Sequence, residues 1–258
     1  MTSAPAYDRI GRTYVRTRAT DPRVAAQLHA AMGPARRVLN VGAGTGNYEP
    51  GTVDGAGPVV TALEPSMTMI RHRSSDAAPA VQGVAEHLPF ADGAFDVVMG
   101  TLTLHHWSDL AAGLAEVRRV SRRQVFLLFD RNVSHSFWLL EDYFPELRAV
   151  ASEAAAPTTD DLRPHLDVQR VEVVPIPADC TDGFGAAFWN RPERYLDPDV
   201  LAGMSFTAVL EPDDLRAGLD ALAADIDSGE WDRRHGHLRD LTEHDAGYRL
   251  VVAGVTSP

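Results

Sequence analysis

The chain has 258 residues, 45% of them apolar and 23% charged, with a formal charge of −12. Those proportions fit one globular domain, or one domain with an insertion, that buries its core without staples. The acidic balance argues against a phosphate-backbone partner. The lone Cys180 excludes an internal disulfide framework or a cysteine-based zinc cluster.

No apolar run approaches the roughly 18 residues of a membrane span. The opening MTSAPAYDRIGRTYVRTR has no apolar centre of the kind a signal peptide needs. These features lead us to expect a cytoplasmic protein with neither nucleic acid nor membrane as partner.

In chain order, the first helix is marked in TDPRVAAQLHAAMG, where Asp21 caps, Pro22 takes the first helical position and Gly33 lies just past the end. Strands are expected at 38–41, 59–63, weakly at 81–84, then at 95–100 and 125–129. Several are unbroken apolar runs, as parallel strands covered on both faces require. Ser66 is placed to cap MTMIRHR. Ser108 is placed to cap DLAAGLAEVRRV, where Leu110, Leu114, Val117 and Val120 form one stripe. The only basic cluster, VRRVSRR at 117–123, reads as a helix with one solvated face.

Strand–helix alternation of this kind predicts an α/β, doubly wound, mostly parallel sheet. VQRVEVVPIP (168–177) and YRLVVAG (248–254) add the last two strands. Between them EPDDLRAGLDALAADIDSGEW carries a helix with Pro212 at its start and Gly229 as its stop. The expected organisation is a core of residues 1–177 and 248–258, with an N-terminal lid at 1–33. A helical insertion at 178–247 serves as the acceptor-binding cap.

The stretch RVLNVGAGTGNYEP runs a buried strand straight into three glycines. Ligands of such sheets sit beyond the carboxyl ends of the strands, at the switch point. Glu64, ending the second strand, is placed to accept hydrogen bonds from a ribose diol. A nicotinamide dinucleotide would want a third glycine where Asn47 stands, and a sound helix N-terminus for its pyrophosphate. Pro50 and Gly51 cut that helix short, so a nucleoside without phosphates fits better.

From Tyr7 to about Arg131 the sequence resembles the class I S-adenosylmethionine-dependent methyltransferases, in particular their small-molecule "type 11" branch. The resemblance rests on VLNVGAGTG, TALEPSMTMI, VQGVAEHLPFADGAFDVVMG and TLTLHHW, in that order. It implies a Rossmann-like fold with S-adenosyl-L-methionine as cofactor. Gly42, Ala43, Gly44 and Gly46 would cradle the methionine part, and Glu64 would hold the ribose hydroxyls. Pro65 and Met69 would lie against the adenine, Ala85 and Glu86 would read its edge by backbone, and Thr101 would lie alongside. YDRIGRTYVRTR is similar to a family leader that closes over the cofactor, with Tyr7 on the substrate side and Tyr14 and Arg18 on the cofactor side.

Two departures stand out. Asn40 replaces the usual acid of the first motif, and Val84 replaces a residue that often bonds the adenine amino group.

The expected activity is methyl transfer to O, N or C of a small-molecule acceptor. Alignment of the reacting atoms supplies on the order of 7–11 kcal/mol, and a general base about 10²- to 10⁴-fold. His105 and His106 are the candidates for that base. Trp189, Trp231 and His235, with Phe188 and Arg234 beside them, are the candidates for the acceptor wall. Other readings are transfer of the aminocarboxypropyl group, nicotinamide-dependent oxidoreduction, and a non-catalytic binding module. The motifs of amino- and C5-cytosine DNA methylation are missing. No metal is expected, Asp130 and Asn132 offering at most half a site.

Overall fold

The computed structural model describes residues 18–51, 57–150, 154 and 156–254. Helix α1 (Pro22–Met32) starts as expected, with Asp21 accepting from the Arg23 amide, and Gly33 (φ +65°) lies just past its end. Its buried face, Val24, Leu28, Ala31 and Met32, packs on the sheet.

Seven strands form the main sheet in the order β3-β2-β1-β4-β5-β9-β6. These are β1 (Arg37–Val41), β2 (Val59–Glu64), β3 (Ala80–Gln82), β4 (Phe95–Thr101), β5 (Ser121–Phe129), β6 (Val168–Val173) and β9 (Tyr248–Gly254). β1 to β5 run parallel, while β9 lies antiparallel between β5 and β6. The two core clusters lie on opposite faces, as the alternation of Val38 and Leu39 between them shows. This is the doubly wound, mostly parallel sheet read from the sequence.

Helix α2 (Met67–Arg71) follows β2 and is capped by Ser66, as expected. The cap of α3 (Leu110–Val120) is a correction. Asp109 accepts from the Ala112 amide, whereas the Ser108 amide and hydroxyl both donate to Glu86. A second correction concerns VRRVSRR. α3 ends at Val120 and β5 begins at Ser121, so only half of the run is helical. Buried Arg123 there bonds the Ala31 carbonyl at the end of α1, which ties the first helix to the sheet.

The insertion carries α4 (Pro212–Ser228), stopped by left-handed Gly229, and α5 (Glu230–His235). At its base β7 (Ile176–Pro177) pairs with β8 (Glu243–His244). A second segment, after β5, builds the same cap and was not anticipated. Trp138 donates to the Trp189 carbonyl at 2.8 Å, Tyr143 donates to Asp225 at 2.7 Å, and Phe144 stacks on Phe206. These aromatics join α1 and one sheet face in a single apolar cluster, so the cap has no separate core. Among the described residues, no helix is long and apolar enough to cross a membrane.

Candidate active site

After β1 the chain leaves for β2 and β3, then returns to β4 on the other side of β1. The switch point therefore lies beyond Val41 and Thr101. Between those strand ends is a pocket of about 360 Å³, lined by Arg18, Asn40, Gly42, Ala43, Gly44, Thr45, Asn47, Tyr48 and Thr101.

The glycine turn is held open by several contacts. Gly42 has φ +67°, and a Cβ there would fall 1.8 Å from Thr103 Oγ1, so only glycine fits. The amides of Gly42 and Ala43 both donate to the Leu63 carbonyl. Glu64 accepts from the Gly44 amide at 2.8 Å and from the Ser66 amide at 2.9 Å. Met69 packs close to Gly44. No helix follows this turn among residues 42–51.

Beneath it lies an ion pair that the sequence reading missed. Arg73 and Glu49 meet at 2.7 Å with both side chains nearly buried. Arg73 also donates to the Gly44 carbonyl, and Glu49 accepts from Asn40 Nδ2 and the Ala78 amide. No motif spacing links positions 49 and 73, so nothing in the sequence pointed to the pair.

Asn40 is 2% exposed, and its Oδ1 is left without a partner, as is Thr101 Oγ1. Both residues line the pocket. Buried acceptors are seldom left unpaired, so the pair suits a ligand that brings hydrogen-bond donors, such as an ammonium group. Along the rest of the groove Pro65 is half-buried, Ala85 buried and Val84 43% exposed. The Glu86 carboxylate is committed to Ser108 and the Asp109 amide. Burial opposes its ionisation, but these hydrogen bonds prevail and hold its pKa below the usual value. Those three bonds all fall on Oε1 of the carboxylate.

Arg18 sits at the inner end of the pocket. Its Nε lies 2.6 Å from Asp182 of the cap, which is fully buried and also accepts from Tyr48 Oη at 2.8 Å. Among the described residues, Tyr48, at φ +65°, is one of two non-glycine residues with positive φ; the other is Leu102 at +52°. Backbone strain of this kind tends to collect at functional sites. Tyr48 lines this pocket, and Leu102 lines a second, larger cavity.

That cavity has about 780 Å³ of space, its mouth included, and is walled chiefly by Phe129, Phe137, Leu140, Phe184, Met204 and Phe206. Arg18 lines both spaces, and Leu102 in the cavity directly follows Thr101 in the pocket. His105 also lines the cavity, its ring 4.8 Å from that of Phe129. Desolvation, with the His106 ring adding to it, holds His105 well below the ordinary histidine value, so its ring is neutral near pH 7. His106 is the exposed member of the pair and does not line the cavity.

The expected acceptor wall needs correction. Trp189 and Trp231 are both fully buried, and Trp189 donates to the Ile176 carbonyl. His235 bonds Asp142 at 2.7 Å and stacks on Trp138 and Trp231. Phe188 packs under Arg191 and Arg194, and Arg234 pairs with Asp142, Asp225 and Glu230. None of the five lines the cavity, because the cap spends them on its own core and its outer ion pairs.

Asp130 caps the turn Arg131–Ser134 and accepts from Thr159, so it is occupied structurally. Among the described residues no cluster of three or more histidine, cysteine or acidic side chains could hold a metal. Tyr7 and Tyr14 lie outside the described residues.

Comparison with known proteins agrees with this architecture. A family model described as a methyltransferase domain matches residues 39–129. The crystal structure of a candidate methyltransferase from an antibiotic biosynthesis pathway of Anabaena variabilis is 32% identical. That alignment covers 92% of this chain and 99% of the other, with a TM-score of 0.81. The chain belongs to the class I S-adenosylmethionine-dependent methyltransferases.

Among curated relatives, a malonyl-[acyl-carrier protein] O-methyltransferase of Erwinia pyrifoliae is 37% identical over 131 residues, 49% of this chain and 50% of that protein. A demethylmenaquinone methyltransferase of Mycolicibacterium vanbaalenii is 38% identical over 93 residues, 35% of this chain and 40% of that protein. The chain thus spans half or less of the length of these two relatives.

Proposed function

We propose that the protein is a cytoplasmic enzyme that binds S-adenosyl-L-methionine in the pocket under the glycine turn and methylates a small molecule held in the adjoining cavity. The observation that carries this reading is the shared wall. A polar pocket with unpaired acceptors and a mainly apolar chamber share Arg18, and Thr101 of the first directly precedes Leu102 of the second, which suits a sulfonium on one side and its acceptor on the other.

The turn from Gly42 to Gly46 would wrap the methionine part, with the Thr45 amide and Asn40 Oδ1 bonding it while Leu63, Glu64 and Ala43 hold the other amides in place. Glu64 would accept from the ribose hydroxyls while keeping Gly44 in place. Pro65, Met69 and the backbone of Ala85 and Glu86 would flank the adenine. When bound, the cofactor supplies an electrophilic methyl carbon, and its sulfur keeps the electron pair of the broken bond.

The residues of this chain then have three tasks. Thr101 and Leu102 set the line between pocket and cavity, and alignment there is the largest contribution to rate. The apolar wall excludes water. Neutral His105, which lines the cavity, would take a proton from an O–H or N–H nucleophile as the methyl transfers. The missing helix after the glycine turn disfavours a pyrophosphate-bearing dinucleotide.

Calorimetric titration with S-adenosylhomocysteine and with NAD⁺ tests the reading. Tight binding of the first alone is expected, and binding of the second alone would overturn it. In turnover, S-adenosylhomocysteine is the expected product, whereas methylthioadenosine would indicate aminocarboxypropyl transfer. His105→Ala is expected to lower kcat by about 10²-fold while leaving S-adenosylhomocysteine affinity unchanged.

A further inference from the structure

The methyl-transfer reading, on which the following rests, leaves the acceptor open, and the cavity narrows it by charge. Among the described residues of its lining, Arg18 is the only charged side chain. That guanidinium is already engaged by Asp182, which is 0% exposed. Asp182 in turn accepts from Tyr48 Oη and from the amides of Ala19 and Gly183. An anionic acceptor would have to compete with this network for Arg18. A cationic one would meet no carboxylate on the described wall. An ion taken from water into such a chamber without a counter-charge is strongly disfavoured, and a neutral molecule is not.

Hydrogen bonding narrows it further. Ser134 lines the cavity, is 8% exposed, and its Oγ is sealed from water with no protein partner. Other serines in this chain behave differently. Ser66 Oγ caps α2, and Ser121 and Ser136 donate to backbone carbonyls.

The place of Ser134 is fixed from behind. Its amide donates to the Asp130 carbonyl at 2.9 Å. Gly247, at φ +90°, brings its backbone so close that a Cβ there would stand 2.7 Å from the Ser134 nitrogen. The tyrosine hydroxyl of the same wall, on Tyr248, already accepts from the Ala186 amide. A rigidly held, unpaired hydroxyl in a chamber walled mainly by apolar side chains, with Ser205 the other serine of the lining, has the make-up of a specificity contact.

We infer that the cavity takes an uncharged, largely hydrocarbon acceptor bearing a hydroxyl or carbonyl group that pairs with Ser134 Oγ, and that Ser134 selects for this group. Ser134 positions the acceptor, whereas His105 lines the same cavity.

Three matched probes test this on the full chain saturated with S-adenosylhomocysteine: 4-ethylphenol, ethylbenzene and 4-ethylbenzoate at pH 7.5. Affinities are read by ligand-observed NMR, so no turnover is needed. The native protein is expected to bind the phenol about tenfold more tightly than ethylbenzene, the size of one net hydrogen bond, and to bind the benzoate most weakly. In Ser134→Ala the gap between phenol and ethylbenzene should close to within twofold, with ethylbenzene unaffected. Ser134→Cys, close in size and a poor hydrogen-bonder, should act likewise and carries the test if the alanine variant does not fold.

Equal native affinities for phenol and ethylbenzene, tighter binding of the benzoate, an undiminished gap in the variants, or no binding of the phenol at its solubility limit would each overturn the inference. Failure of S-adenosylhomocysteine itself to bind would instead strike at the methyl-transfer reading.

Discussion

The pocket under the glycine turn and the cavity beside it share Arg18 and are built on opposite principles. Backbone and short polar side chains from neighbouring strand ends make the pocket, and each is braced by a second residue: Gly44 by Glu64, the turn by Arg73 and Glu49, Gly42 by Thr103. Side chains from segments far apart in the chain make the cavity, and most are apolar, with Arg18, His105, Ser134, Ser205 and Tyr248 among them. One is a shape that tolerates little change, since an amide must stand at a fixed point. The other is a surface whose members trade volume with each other.

Substitutions should separate the two regions. The largest effect is expected at the link between them. Asp182→Ala removes the buried carboxylate that faces Arg18 and Tyr48 Oη, and breaking such a pair typically costs about 3–5 kcal/mol. Urea unfolding measures this, and S-adenosylhomocysteine affinity should fall as well.

Next comes Glu64→Ala. Loss of hydrogen bonds to a buried carboxylate, about 1.5–3 kcal/mol each, should weaken S-adenosylhomocysteine binding by ten- to a hundredfold in calorimetry. Probes of the cavity should be unaffected.

A paired comparison of glycines is finer. Gly33 and Gly42 have nearly equal positive φ, but only at Gly42 would a Cβ strike a neighbour. Gly33→Ala should cost about 1–2 kcal/mol from backbone handedness alone. Gly42→Ala should add a steric cost of about 1–3 kcal/mol and abolish cofactor binding, which thermal melts with and without S-adenosylhomocysteine would show.

A smaller effect depends on pH. Native His105 keeps its neutral form, whereas in the unfolded chain it titrates near 6.5. As pH falls below about 6.5 the unfolded chain gains a proton that the native site refuses, so stability drops on acidification and is level above that value. His105→Gln should make this slope shallower by up to one proton in urea titrations between pH 4.5 and 7.

The smallest effect is at Cys180. It is buried, and desolvation pushes its thiol up to about 12. Folded protein at pH 8 should resist iodoacetamide over hours, and urea should expose the thiol.

What the sequence made legible follows the same division. Glycine turn, Glu64 and Thr101 are contiguous with strand signals, and their spacing is fixed by strand length, so their meeting at the switch point could be read in advance. The Arg73–Glu49 pair and the Asp182 node could not, because a charged residue carries no mark of its partner. Around the cavity, Phe137, Phe184 and Phe206 follow the same apolar patterning as core residues, and nothing local tells a wall from an interior. Trp189 and Trp231 were misread for the same reason, as aromatic content says nothing of which way a ring faces. Ser134 was passed over because its distinction is the lack of a partner, which only three-dimensional packing can reveal.

One consequence of the Asp182 contacts concerns how far the chain can be shortened. Residues 39–129, the portion matched by the methyltransferase family model, look like a domain that could be cut out. Yet Tyr48, in the middle of that portion, is 2% exposed and depends on a carboxylate 134 positions further along. A fragment ending at β5 would therefore strip Tyr48 of that carboxylate beside the glycine-turn pocket, and the shortest autonomous unit must reach at least through Gly183.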